Sequence, residues 1–201
     1  MSHATAYPVL RTVDLIQALD AARRLLRIAD LSQTEIYAYA KMTTVDEVRR
    51  MRAAVPGAWY IRDFDAVEAA EEGTCVVEGL DLPADADGLA GLLPLEATVE
   101  KMPFRDAPEG YEEAFLSAVG VGPASLEWWW TTWPAVPALD LPPDAKHAEV
   151  QIAVNSADLY REDPADDHTL FVHVRSGQAE RAEWLAAQVG LHVIGPGVWD
   201  G

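Results

Sequence analysis

Two short segments carry side chains whose types and spacing suit chemistry on a common surface. Ile36-Tyr-Ala-Tyr-Ala-Lys41 and Leu170-Phe-Val-His-Val-Arg175 both alternate, and alternation puts every second residue on the same side of a strand. Tyr37, Tyr39 and Lys41 then share one face, as do Phe171, His173 and Arg175. His173 is the one group among them that titrates near neutrality, so it is the predicted general acid or base of any catalysis there. Tyr39 and Arg175 would orient the ligand. The competing expectation is structural and favoured: in a two-layer fold, such a face is more often closed by another part of the chain.

A second group follows Glu127, where Trp128, Trp129, Trp130 and Trp133 crowd into a few residues. In an extended segment Trp128 and Trp130 point one way and Trp129 the other, which predicts core packing on one side and a partner anchor on the other. Glu162, Asp163, Asp166, Asp167 and His168 make a carboxylate-rich stretch. It lacks the ligand spacing and glycine of a calcium loop, so it reads as a solvated hairpin tip and no metal site is expected. The lone cysteine, Cys75, lies in Thr74-Cys75-Val76-Val77 and reads as a buried strand residue. The sequence contains no phosphate-binding glycine loop, dinucleotide fingerprint, His-Glu-x-x-His or Gly-x-Ser-x-Gly, and no cofactor is expected. Gly120-x-Gly122 follows a predicted helix rather than a strand, the wrong context for a nucleotide fingerprint.

The elements that must position these groups are legible from periodicity. Leu15, Leu19, Ala22, Leu26 and Ala29 recur at helical spacing across 13–29, with Arg23, Arg24 and Arg27 on the wet face. A strand over 34–41 leads to a helix opened by a capping-box pattern, Thr44 with Glu47, and closed by Pro56-Gly57. Strands are predicted at 58–62, 74–80 and 95–102, a helix or loop at 65–72, and a weak helix at 85–92 that contains Gly88 and Gly91. This β-α-β-β-α-β order is the ferredoxin-like plan. A helix at 109–119 precedes the tryptophans, and Pro134, Pro137, Pro142 and Pro143 make the following segment an extended connection. Strands at 149–155 and 168–175, a helix bearing Ala182, Leu185, Ala186 and Val189, and a strand at 191–194 complete a second β-α-β unit. The two units align at a constant offset of 134 residues. The predicted fold class is α+β, two-layered, with ferredoxin-like units on an antiparallel or mixed sheet, and duplication is consistent with the offset. The halves divide at 1–104 and 105–201, with a single domain as the alternative.

A chain of 201 residues with 50% apolar content supports a real core. Its net charge is −18, unevenly spread: residues 1–62 sum to +3 and residues 63–201 to −21. So negative a surface repels phosphate backbones and anionic lipid heads and attracts basic proteins. No nucleic-acid or membrane partner is expected. The absence of an unbroken apolar leader or span, and a single cysteine, predict a soluble cytoplasmic protein. Two functions follow from these features. The first is a non-catalytic acidic binding or inhibitory protein that engages a basic protein partner. The second is a small-molecule-binding protein or cofactor-free enzyme, with a pocket between the sheet face and the tryptophan-rich segment.

Overall fold

The computed structural model describes residues 3–62 and 80–200. Eight strands join in one sheet: β1 (Ala4–Thr12), β2 (Glu35–Met42), β3 (Trp59–Arg62), β4 (Leu95–Pro103), β5 (Ala124–Trp129), β6 (Glu149–Val154), β7 (His168–Arg175) and β8 (Val198–Asp200). Their order is β3-β4-β2-β5-β6-β7-β1-β8, and every pairing is antiparallel. Both β-α-β units therefore share one sheet, with mixed helix and strand as the α+β expectation requires. The first unit encloses β4 between β2 and β3; the second encloses β1 between β7 and β8.

Five α-helices, α1 (Leu15–Leu26), α2 (Val45–Ala54), α3 (Ala86–Ala90), α4 (Tyr111–Ala118) and α5 (Ala179–Gln188), contribute to one apolar cluster. The sheet's contribution is its alternate residues: Ile36, Ala38 and Ala40 from β2, Leu126 and Trp128 from β5, Val150 and Ile152 from β6, Leu170 and Val172 from β7. β2 shows the period-two burial that a sheet with one apolar face requires, whereas β6 and β7 are buried on both faces. Asp14 caps α1 by accepting from the Ile16 and Gln17 amides. Thr44 and Glu47 form the complete reciprocal capping box of α2.

Several expectations require correction. The tryptophan run was expected in a connection, but its first two members end β5, a central strand that pairs with β2 and β6. Residues 191–194 are not a strand: the Ile194 amide donates to Pro8 O, and the last strand comes later, at β8 against β1. β1 itself had no counterpart among the expected elements. Arg23 is not merely solvated; it binds the Glu112 and Glu113 carboxylates. The strand expected at 74–80, apart from Leu80, the segment at 65–72 and Cys75 lie outside the described residues. Among the described residues it is β4 that lies between β2 and β3. No helix among the described residues is long and apolar enough to cross a membrane.

Candidate functional site on the open sheet face

The face of the sheet turned away from the helices divides in two. Over β1, β6 and β7 it is covered by the loop of residues 155–167, whose Leu159 packs with Ala6, Ala153 and Phe171. The Asp158 carboxylate organises that loop, accepting from the amides of Tyr160, Glu162 and Asp163. Asp167 pairs with Arg11, and His168 Nδ1 accepts from the Asn155 amide. The acidic stretch thus serves its own turn. Over β2, β4 and β5 the face stays open as a groove of about 920 Å³.

Tyr37, Tyr39, Lys41 and Trp129 all line this groove. Strand register puts them there: Tyr37 lies opposite Glu127 and Tyr39 opposite Ser125, so neighbouring strands present the same parity. The Tyr37 and Trp129 rings stack at 4.0 Å between centroids. Glu127 is the hub between them. One of its oxygens accepts from the Trp129 indole at 2.7 Å, and the other from Ser125 Oγ at 2.6 Å. The second oxygen also faces Arg161 Nη1 at 3.3 Å, and the same nitrogen donates to Ser125 Oγ at 3.0 Å. The Arg161 guanidinium lies over the Tyr39 ring, 4.6 Å from its centroid. Tyr39 donates its hydroxyl to Glu96 at 2.7 Å. Burial, with the Glu35 carboxylate beside it, pushes the Tyr37 phenol up to about 12, so it stays a donor at neutral pH.

His173 stands further along the same face but belongs to a different group. It is 1% exposed, with Nδ1 2.9 Å from Asp200 Oδ2 and Nε2 3.2 Å from Gln151 Oε1. The Gln151 amide nitrogen is committed to Leu159 O, so its oxygen is what faces the ring. Oxygen atoms face both ring nitrogens, an arrangement that favours the protonated ring. Burial works against that charge, yet the neighbouring Glu149 and Asp200 carboxylates outweigh it and raise the pKa of His173. Asp200 is correspondingly lowered, first by its hydrogen bond to His173. Glu149, with its Oε1 3.8 Å from His173 Nε2, is pushed up by burial to about 8.

Glu149, His173 and Asp200 each offer one ligand atom, all within 4.8 Å of one another. A cation could be held there only if a ring nitrogen gave up its proton and its present acceptor. Glu149 and Asp200 also line a second pocket, of about 300 Å³, between Trp129, Trp130 and His147. Extended alternation holds for Trp128 and Trp129 but breaks at Trp130, whose φ of 59° turns the chain. Trp129 and Trp130 therefore border this pocket together.

The remaining expected site residues go elsewhere. Trp128 is buried among the helices and donates to Glu112. Trp133 is buried and donates to the His173 carbonyl. Phe171 lies beneath Leu159. Arg175 pairs with Asp144 and lines neither cavity described here. Sequence reasoning missed Ser125, Glu127, Glu149 and Gln151, although the parity of β5 and β6 carries the signal for all four. Arg161 and Asp200 had no such signal, since one lies in an irregular loop and the other on a three-residue strand. No protein-family model, curated protein or solved structure matches the chain.

Proposed function

We propose that the chain is a non-catalytic binding protein that engages a basic protein partner through the open half of its sheet. The observation that carries this reading is the groove, where stacked aromatic rings and the oriented Glu127 carboxylate form one concave surface. Aromatic faces and carboxylates both favour cationic side chains. Rigid Tyr and Trp surfaces also bind at low entropic cost. The net charge of −18 adds long-range attraction for a basic partner. An inhibitory role is the natural form of such binding where the partner is a basic enzyme.

The test compares immobilised wild type with Trp129→Ala and Glu127→Gln in native lysate at low and high salt, with mass spectrometry of what is retained. A basic protein held by wild type at low salt, reduced at high salt and lost from both variants is the expected result. Retention that ignores salt and both substitutions overturns the reading.

A second reading is favoured by the pocket between Trp129, Trp130 and Glu149. There the chain binds a small molecule, or acts on one without a cofactor. Glu149, protonated near neutrality, would be the donor at the pocket wall, and His173 behind it a positioning residue. A detected activity that survives Glu149→Gln unchanged removes this assignment. As to origin, we read the two β-α-β units as a duplicated, ferredoxin-related element. The 134-residue offset of β2 and α2 from β7 and α5, which β3 and β8 do not keep, and the enclosure of one further strand by each unit support this.

A further inference from the structure

We propose that the groove reads the guanidinium of an arginine on its partner, and that Arg161 occupies the same position as the chain's own stand-in until the partner displaces it. The inference rests on the docking reading above and specifies which side chain is recognised.

Three features of the groove fit a guanidinium, and the first favours it over an ammonium. The Tyr39 face lies beneath the Arg161 Cζ, and a delocalised cation stacks on an aromatic ring at smaller desolvation cost than a compact one. Ser125 Oγ and Glu127 Oε1 both accept from Arg161 Nη1, at 3.0 and 3.3 Å, so two acceptors converge on one end of the guanidinium. The carboxylate is held before any ligand arrives, by the Trp129 indole on one oxygen and the Ser125 hydroxyl on the other. Glu127 is thus an oriented acceptor rather than a mobile surface charge.

Arg161 is built to be exchanged. It comes from the covering loop rather than from the sheet, on a backbone with a φ of 66°. The loop is anchored before Arg161 by buried Leu159 and on both sides of it by the Tyr160, Glu162 and Asp163 amides, which donate to the Asp158 carboxylate, so the side chain can leave while the loop stays. Its side chain is 25% exposed and lines the groove, so the guanidinium has a path to solvent when it is displaced. Tyr160 and Glu162 flank it and line the same groove, so an incoming arginine would meet the same surroundings.

The test follows the indole NH resonance of Trp129 while acetyl-Gly-Arg-Gly-amide or acetyl-Gly-Lys-Gly-amide is titrated into wild type and Arg161→Ala. An occupant that fills the site about nine-tenths of the time weakens apparent affinity roughly tenfold. The arginine peptide should therefore bind Arg161→Ala roughly tenfold more tightly than wild type, and more tightly than the lysine peptide. Glu127→Gln added to Arg161→Ala should abolish that binding, and an unchanged thermal midpoint in Arg161→Ala excludes unfolding as the cause. Equal affinity of wild type and Arg161→Ala, equal response to both peptides, or no binding to Arg161→Ala overturns the inference. The docking reading stands or falls separately, on whether lysate capture depends on Trp129 and Glu127.

Discussion

At the scale of single residues, the buried ring of His173 has a consequence for folding. Its pKa is raised, so its contribution to stability is complete below the ordinary histidine value and is lost as pH rises through the raised one. Glu149 acts in the same direction. Its carboxyl is raised to about 8, so folding is increasingly penalised as pH climbs from the ordinary carboxylate range towards that value. Asp200 is lowered and opposes the trend only in acid, where its contribution disappears as it protonates. Denaturant midpoints should therefore fall steadily from about pH 5 to pH 8 and beyond, and Glu149→Gln should flatten the part between about pH 5 and pH 8. A decline of equal steepness in that variant would remove Glu149 as a cause. These relationships explain what sequence could deliver here. Tyr37 and Tyr39 share a face by the parity of β2 alone, whereas Trp129 joins them only because β5 pairs with β2. The role of His173 was not legible, because its partners Gln151, Glu149 and Asp200 arrive from other strands and its burial depends on the covering loop.

At the scale of elements, the clearest local signals were complete motifs. The capping box of α2 is an example: Glu47 accepts from the Thr43 and Thr44 amides and, across the fold, from the Val121 amide. That last contact explains the Gly120-x-Gly122 pair, which has nothing to do with nucleotides. A Cβ on Gly120 would lie 1.8 Å from Glu47 Oε1, and one on Gly122 would lie 2.3 Å from the Lys41 carbonyl oxygen. Asn155 fastens the same turn, donating to both glycine carbonyls at 2.8 Å. Gly120→Ala and Gly122→Ala should each destabilise by about 2 kcal/mol or more through forced displacement of packed groups. Gly57→Ala, with open space around it, is the control expected to stay within about 0.5 kcal/mol in chemical denaturation. A mild effect at Gly122 would mean that β2 shifts more easily than its pairing implies. Strands with clean alternation, such as β2 and β7, were legible for the same reason that they are stable. β5 was obscured by adjacent tryptophans, which alternate in position but not in polarity. β8 was missed because three residues carry no period, and Leu191 to Ile194 imitate a strand while only Leu191 and Val193 pack beside the core.

At the scale of the whole molecule, charge and connectivity dominate. A net charge of −18 opposes compaction by self-repulsion, and salt screens it. The thermal midpoint should rise by several degrees between about 0.01 M and 0.3 M sodium chloride, distances over which the Debye length shrinks from roughly 30 Å to below 8 Å. A flat or falling midpoint would mean that local ion pairs such as Arg23 with Glu112 outweigh the global repulsion. Neither property could be assigned to a binding face from sequence alone, because the acidic residues are spread along the chain and only the tertiary fold gathers Glu96 and Glu127 beside Tyr37 and Tyr39. Connectivity has a further effect through β1. This strand is held between β7 and β8, both of which are synthesised long after it. While the ribosome is still making the intervening chain, Tyr7, Val9 and Leu10 have neither ladder partners nor most of their apolar neighbours. β1 therefore stays without its ladder partners until β7 and β8 have both emerged, which makes its incorporation into the sheet a late event.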